Sequence, residues 1–295
     1  MYYNEETIVY YKGEYLKAGD VRCNIYDQTL HYGYGIFEGI RAYSTDNGVK
    51  IFKALEHFER MQYSCEAVSI KYPYNNHDLI DISYEVLRRN NLKDAYLRPL
   101  VTCSPNMQLS KGKESQLFIA AWDWGAYLGH HLLNVMISSF SRPNPNAFKV
   151  SAKVTGHYVN SILACQDAKD KGYDEALLLD VNGFVAEGPG ANIFFETNGK
   201  LITPQLGNIL PGITRATILD ICNDLDIEVI QKNIYPGEIL GADSAFFCGT
   251  AAEVIGIQTL DNVPFKKDWN ESKGFLIQQA YKQMVLGKDY SLLVA

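Results

Sequence analysis

V-S-A-K-V-T-G-H-Y-V-N, residues 150–160, places one lysine, Lys153, among small and β-branched neighbours with no acid beside it. The chain also changes character here. A loop, S-R-P-N-P-N at 141–146, precedes the stretch, and a run with helical spacing over 157–171 follows it, with Gly172 placed as the C-terminal stop. An ammonium in apolar surroundings loses hydration, which favours the neutral amine and lets the nitrogen attack a carbonyl. The same residue is compatible with a strand edge, its stem along the sheet and its head in water. The rest of the chain decides between these two.

Working outward toward the N-terminus, 8–11 and 14–17 flank Lys12-Gly13 as a hairpin, and 36–44 and 49–52 flank Asp46-Asn47-Gly48 as another. Leu55, Phe58, Met61, Cys65 and Val68 recur at helical spacing over 54–70, and 78–89 repeats the period before Asn90-Asn91. Strand-like runs follow at 96–102 and 116–121. W-D-W-G-A-Y-L-G-H-H, 122–131, interrupts the regular pattern and reads as a connection between domains. We expect a small N-terminal domain over 1–126, an interdomain loop over 127–135 and a larger domain over 136–295. His130 and His131 are adjacent, point apart and have no evident third ligand, so no metal site is expected.

Beyond 131, strands are expected at 133–138, 176–179, 184–186, 192–196, 201–203, 228–234 and 245–247, with helices at 214–225 and 275–286. Hairpins dominate, and the strand-helix alternation of a doubly wound sheet is missing, so the expected class is α+β.

The 295 residues can bury a substantial core, and 47% hydrophobic content is ordinary for a globular protein. A net charge of -7 with no basic block argues against nucleic acid as a partner and favours small molecules. No basic start precedes an apolar run, and no apolar stretch approaches the roughly 20 residues that span a bilayer. A cytoplasmic protein without membrane contact is therefore expected. Six scattered cysteines, Cys23, Cys65, Cys103, Cys165, Cys222 and Cys248, lack the pairing of a zinc site and read as buried thiols of a reducing compartment.

Three further segments carry chemistry. In L-P-G-I-T-R-A-T-I-L, 210–219, a Pro-Gly turn leads into a helix with Thr214 in its first turn, which suits either an anion seat or an ordinary helix cap. C-G-T-A-A-E, 248–253, puts small residues in a turn, where Thr250 and Ala251 can approach a phosphate or carboxylate, or simply lead into a core segment. Glu187, in V-A-E-G-P-G-A-N, is an acid at a strand end that suits a protonated ring nitrogen or a bond to nearby backbone. Arg60, in E-H-F-E-R, suits a phosphate dianion or a pairing with Glu56.

Taken together, H-Y-G-Y-G-I-F-E-G-I-R (31–41), E-H-F-E-R-M (56–61), A-Y-L-R-P-L (95–100), W-G-A-Y-L-G (124–129), S-A-K (151–153), A-E-G-P-G-A-N (186–192), L-P-G-I-T-R (210–215) and G-T-A-A-E (249–253) resemble the branched-chain amino-acid aminotransferases of the fold-type IV pyridoxal-phosphate enzymes. The motifs occur in the family's order across nearly the whole chain. The resemblance implies a two-domain fold like that of D-amino-acid aminotransferase, with a smaller N-terminal α/β domain and a larger β-rich C-terminal domain with helices. It implies pyridoxal 5'-phosphate as cofactor, held covalently by Lys153, which also carries the proton in the reaction.

By the same matching, Glu187 pairs with the pyridine nitrogen and Tyr158 hydrogen-bonds the ring oxygen. Arg60, Ile213, Thr214 and Thr250 hold the phosphate. Phe37, Gly39, Tyr127 and Ala251 border the substrate, with Tyr32, Tyr96 and Arg98 near the pocket mouth. Branched-chain amino acids and 2-oxo acids are the implied substrates, and the implied assembly is a homodimer or higher homo-oligomer with Tyr32 acting across the interface. Two departures stand out: Thr155-Gly156-His157 where the family commonly carries a further glycine and an asparagine, and Asp123 where proline is frequent.

Overall fold

The computed structural model describes residues 2–125, 128–129 and 131–294. By contact density the chain divides into two compact units, one of Met1–Gly125 with Ala152–His157 and one of Ala126–Ser151 with Tyr158–Ala295. The expected boundaries put 152–157 with the C-terminal part, whereas by contact this segment, including Lys153, packs with the first unit.

In the first unit the elements are β1 (Ile8–Tyr11), β2 (Glu14–Lys17), α1 (Gln28–Tyr32), β3 (Ile36–Phe37), β4 (Ile40–Thr45), β5 (Gly48–Ile51), α2 (Ala54–Ala67), α3 (Asn76–Arg89), β6 (Ala95–Cys103) and β7 (Ser115–Trp122). Among the described residues the strands form one antiparallel sheet in the order β2-β1-β7-β6-β4-β5, with β3 also on β6. The expected hairpin at Lys12-Gly13 forms with Lys12 at φ 52°.

The single strand expected over 36–44 is instead two, interrupted at Glu38-Gly39. Proline is the reason: Glu38 N–H donates to the Pro99 carbonyl at 2.9 Å, and Pro99 has no N–H to return. The short helix α1 has no counterpart in the sequence expectations, since five residues carry too little periodicity to read. Phe58, Met61 and Cys65 of α2 and Leu79, Val86 and Leu87 of α3 pack with Leu97, Leu117 and Ile119 of the sheet. Ala152 and Val154, on either side of Lys153, belong to the same core.

The second unit contains β8 (Leu133–Ser141), α4 (Tyr158–Asp170), β9 (Glu175–Leu179), β10 (Val185–Glu187), β11 (Asn192–Thr197), β12 (Lys200–Pro204), α5 (Ile213–Asp224), β13 (Val229–Lys232), α6 (Pro236–Ile239), β14 (Ser244–Gly249), β15 (Glu253–Leu260), β16 (Val263–Pro264) and α7 (Lys273–Val285). Its sheet runs β10-β9-β8-β15-β14-β11-β12-β13, with β16 on β15. Three of its pairs, β8 with β9, β8 with β15 and β12 with β13, are parallel. Hairpins dominate as expected, with the addition that α4 and α5 are crossover helices between parallel neighbours.

Strand β15, in the middle of that sheet, was not expected. Its Gly256 reads as a break, but a side chain there would meet the Trp269 ring at 2.6 Å and Leu132 at 2.8 Å, so the glycine is set by close packing. Met136, Ala176 and Leu178 face Ala164 and Ala168 of α4, while Val135 and Leu177 face a separate cluster that includes Phe195, Phe247 and Ile257. This is the two-residue alternation of a strand buried on both faces. Cys65, Cys103, Cys222 and Cys248 are buried as expected, whereas Cys23 is exposed and Cys165 half-buried; all six are free thiols.

Candidate active site

In the first unit the site is built on one face of α2. His57, Arg60 and Ser64 stand three and four residues apart, so they project from the same side of the helix. Opposite them, at the interruption between β3 and β4, lies Glu38, fully buried. Arg60 Nε donates to Glu38 Oε1 at 2.7 Å and Nη2 to Oε2 at 2.8 Å, and His57 Nδ1 lies 2.8 Å from Oε2. Burial pushes the Glu38 carboxyl up, but the Arg60 charge and the bonds from Arg60 and His57 outweigh it and hold the group well below the usual carboxylate range. Burial also pushes the His57 imidazole below its ordinary value, partly offset by its bond to Glu38. A neutral His57 then donates to an ionised Glu38. Arg60 is thus paired, but with Glu38; Glu56 pairs with Lys53 at 3.0 Å.

Lys153 is held by its backbone on both sides. Its N–H donates to Ser64 Oγ at 3.0 Å, and its carbonyl accepts from the Phe37 N–H at 3.2 Å. The bridge between Ile36 and Val154 extends this attachment. The Lys153 Nζ lies 4.8 Å from the Phe37 ring centroid, and the Arg98 guanidinium lies 4.7 Å from the same ring. Arg98 is also 5.5 Å from the Tyr96 ring and 5.8 Å from that of Trp122, while its buried Nε has no hydrogen-bond partner among the described residues. A cation packed among aromatic faces with a donor to spare is suited to a carboxylate.

Gly39 lies against the Tyr96 hydroxyl, which a side chain at that position would meet at 1.7 Å. The departure at Thr155-Gly156 also has a place. Thr155 Oγ1 donates to the Gly33 carbonyl at 2.6 Å, and the N–H groups of Thr155 and Gly156 bond Gly35 and Gly33 at 2.9 Å. This ties the lysine segment to the H-Y-G-Y-G motif. Tyr32 is exposed, its hydroxyl donating to the Met107 carbonyl at 3.1 Å.

In the second unit Glu187 ends β10, 5% exposed. Its Oε1 accepts from the Leu210 N–H at 3.1 Å and its Oε2 from Asn192 Nδ2 at 3.0 Å. Asn192 Nδ2 also reaches the Leu210 carbonyl at 3.1 Å. The carboxylate is therefore stapled to the loop that opens α5, where Gly212 is the N-cap and supplies no side-chain acceptor. The positive end of the helix, at Ile213 and the buried Thr214, is suited to an anion. Thr250 and Ala251 lie in the short hairpin loop between β14 and β15, half-buried. Tyr158 is the first residue of α4. Tyr127 and His130 lie outside the described residues; His131 Nε2 is 3.4 Å from Asp174 Oδ1.

Against known proteins, the family profile described as amino-transferase class IV matches residues 35–260. The chain belongs to the class IV aminotransferases. It is 38% identical over 291 residues to a branched-chain-amino-acid aminotransferase of Pseudomonas aeruginosa, covering 97% of this chain and 95% of that protein. Its structure is similar to that of the branched-chain aminotransferase from Thermoproteus uzoniensis with norvaline, with TM-score 0.91, 35% identity and 96% of each chain covered. The T.th. branched-chain amino acid aminotransferase complexed with N-(5'-phosphopyridoxyl)-L-glutamate is similar too, with TM-score 0.91, 34% identity and coverage of 97% and 96%.

For this aminotransferase the sequence expectations missed Glu38, His57, Ser64 and Asn192. All but Ser64 lie within the quoted motifs, yet nothing in their order says which charges and amides meet. Gly212 provides a test of the Asn192 staple. A side chain at 212 would stand 1.9 Å from Asn192 Oδ1, so Gly212→Ala is expected to displace Asn192 and loosen both Glu187 and the α5 N-terminus. The dissociation constant for pyridoxal 5'-phosphate should rise about tenfold or more, on the scale of one lost hydrogen bond to a charged group. Equilibrium titration of the apoenzyme measures it, and unchanged affinity would remove the staple from the site.

Proposed function

We propose that this aminotransferase catalyses reversible transfer of the amino group between branched-chain L-amino acids (leucine, isoleucine, valine) and 2-oxoglutarate, using pyridoxal 5'-phosphate and yielding branched-chain 2-oxo acids and L-glutamate. The observation that carries it is the Phe37 ring with Lys153 Nζ on it at 4.8 Å and Arg98 at 4.7 Å. An apolar surface for an aliphatic side chain and an unsatisfied cationic donor for a distal carboxylate lie next to one amine. Alternating between leucine and glutamate demands both. Support also comes from relatives named for branched-chain amino acids, one carrying norvaline and another a phosphopyridoxyl glutamate.

The residues suit the cofactor. A buried carboxylate held by two donors is a partner for a ring nitrogen, and the uncapped start of a 12-residue helix is a partner for a phosphate. Ile213, Thr214, Thr250 and Arg60 would hold the phosphate. The two bonds from Arg60 to Glu38 fix the orientation of the guanidinium. Glu187 would bind the ring nitrogen and Tyr158 the ring oxygen. When bound, the cofactor supplies an electron-withdrawing ring that accepts the electron pair left on the substrate Cα.

Lys153 would hold the cofactor through its amine and, when that amine is free, would take the proton from the substrate Cα on Nζ and hand it back. The Ser64 and Phe37 backbone contacts keep the amine in reach throughout. Phe37, Gly39, Tyr127 and Ala251 border the substrate side chain, and Arg98 with the Tyr96 hydroxyl receives the distal carboxylate.

Ile25, Tyr26, Leu30, Tyr32, Met107 and Leu109 are all exposed, and Tyr32 bonds the Met107 carbonyl. This apolar patch supports a homodimer or higher assembly, in which Tyr32 serves the neighbouring subunit. Free thiols and a net charge of -7 support a cytoplasmic location, and among the described residues no helix is long and apolar enough to cross a membrane.

An amino-donor panel tests the substrate class. Leucine, isoleucine and valine should each support turnover with 2-oxoglutarate; activity confined to D-alanine or to aminodeoxychorismate overturns the assignment. Arg60→Ala and Thr214→Ala should raise the dissociation constant for the cofactor about tenfold each, the scale of one charge-assisted hydrogen bond, while the ratio of leucine to valine turnover stays put. A changed ratio with unchanged cofactor affinity would place both residues at the substrate instead.

A further inference from the structure

Arg142 is a buried arginine, 8% exposed, that neither the motifs nor the substrate logic account for. It follows β8, and its N–H donates to the Leu179 carbonyl at 2.8 Å, which fixes it at the end of β9. Glu187 pairs with Leu178 from the other side of β9. Strand order β10-β9-β8 thus brings the two side chains together over the end of one strand, with Arg142 Nε 2.9 Å from Glu187 Oε1. The N–H of that nitrogen is not aligned for a hydrogen bond, so the contact is a charge pair.

The Leu210 N–H and the Asn192 amide, which hydrogen-bond Glu187, are neutral groups. Arg215 on α5 is a second cation that the Glu187 charge reaches, whereas the Cys248 thiol on β14 is held protonated by burial and is neutral.

We propose that Arg142 is a positioning residue that fixes where a shared proton resides. The proposal rests on Glu187 facing the ring nitrogen. One proton then lies between a carboxylate oxygen and that nitrogen. Burial without a cation favours the uncharged arrangement, with the proton on the acid. Arg142 stands next to the carboxylate and one group further from the nitrogen. Because the Coulomb energy falls with distance, its charge stabilises the carboxylate more than it opposes a protonated ring. The proton is moved onto the nitrogen, which is the state that draws electrons from the substrate Cα.

The test is 15N NMR of the holoenzyme loaded with pyridoxal 5'-phosphate labelled at the ring nitrogen. The wild type should show the signal of a protonated pyridine. In Arg142→Gln it should move most of the way toward a neutral pyridine, with turnover down about tenfold or more and KM for leucine changed less than about threefold. Arg142→Lys, which keeps the charge, should restore the wild-type signal. An Arg142→Gln signal identical to the wild type, or an Arg142→Lys signal displaced toward neutral pyridine, overturns the proposal; the lysine variant decides even if the glutamine variant does not fold. Glu187→Gln separates the two levels. If it leaves the wild-type signal in place, Glu187 does not face the nitrogen and the assignment made above fails first; if it moves the signal while Arg142→Gln does not, only the role of Arg142 is lost.

Discussion

Replacing Lys153 with alanine is expected to lower transamination between leucine and 2-oxoglutarate by about 10⁴-fold or more, because in the proposed function one amine would serve as both covalent anchor and proton carrier. Few single substitutions separate chemistry from folding so cleanly. Two contacts that hold this residue are made by its backbone, from the Lys153 N–H to Ser64 Oγ and from the Phe37 N–H to the Lys153 carbonyl, and alanine keeps both. Its neighbours Ala152 and Val154 carry the packing. The variant should therefore unfold within about 1 kcal/mol of the wild type, as expected when only a partly exposed side chain is trimmed. Turnover and denaturant unfolding, measured together, check this. The absorbance near the visible edge that the lysine-bound cofactor contributes should vanish as well. Appreciable turnover in Lys153→Ala would show that another group moves the proton.

Removal of Glu38 is expected to have the largest effect on stability. Glu38→Ala strands the Arg60 guanidinium and the His57 imidazole in the place where a fully buried carboxylate joined them. Breaking a buried pair from one side costs about 3–5 kcal/mol. Arg60 would also lose the two bonds that orient it, so cofactor affinity should fall in parallel. Denaturant titration of the apoprotein isolates the first effect, and a loss under about 1 kcal/mol, the range of exposed pairs, would contradict the burial argument.

The same cluster predicts acid sensitivity. Glu38 and His57 both have folded values below their ordinary ones, so the unfolded chain binds protons more readily than the native state. Their contribution is fully present above the ordinary values. It begins to be lost as pH falls through the ordinary histidine value, roughly 6.5, and falls further below the ordinary glutamate value, roughly 4.3. Glu38→Ala should flatten the lower part of that profile.

Local readings were dependable where a single element carries its own signal. The hairpin at Lys12-Gly13, the helices α2 and α3 and the stop at Gly172 needed only turn chemistry and periodicity, because those interactions lie within a few residues of one another. Strand β15 failed that way: Gly256 was chosen by Trp269 and Leu132, which no local window contains. The parallel pairs were missed for the same reason, since a crossover is a relation between strands and not a property of either.

At the candidate site, the sequence offers residue types and motifs. Taken singly, Lys153 also fits a strand edge, Glu187 a turn acid and Thr214 a helix cap, and only the collinear motifs that hold them make the three candidates for one site. Which charge meets which was decided only by folding. Arg60 has Glu56 four residues away on its own helix, yet it bonds Glu38, because the gap opposite Pro99 turns that carboxylate into the core against α2, where an unpaired charge would be costly. Likewise Arg142 and Glu187 are 45 positions apart and become partners through the order of three strands. Sequence restricts which groups are available; the sheet and the low dielectric inside it determine how they pair.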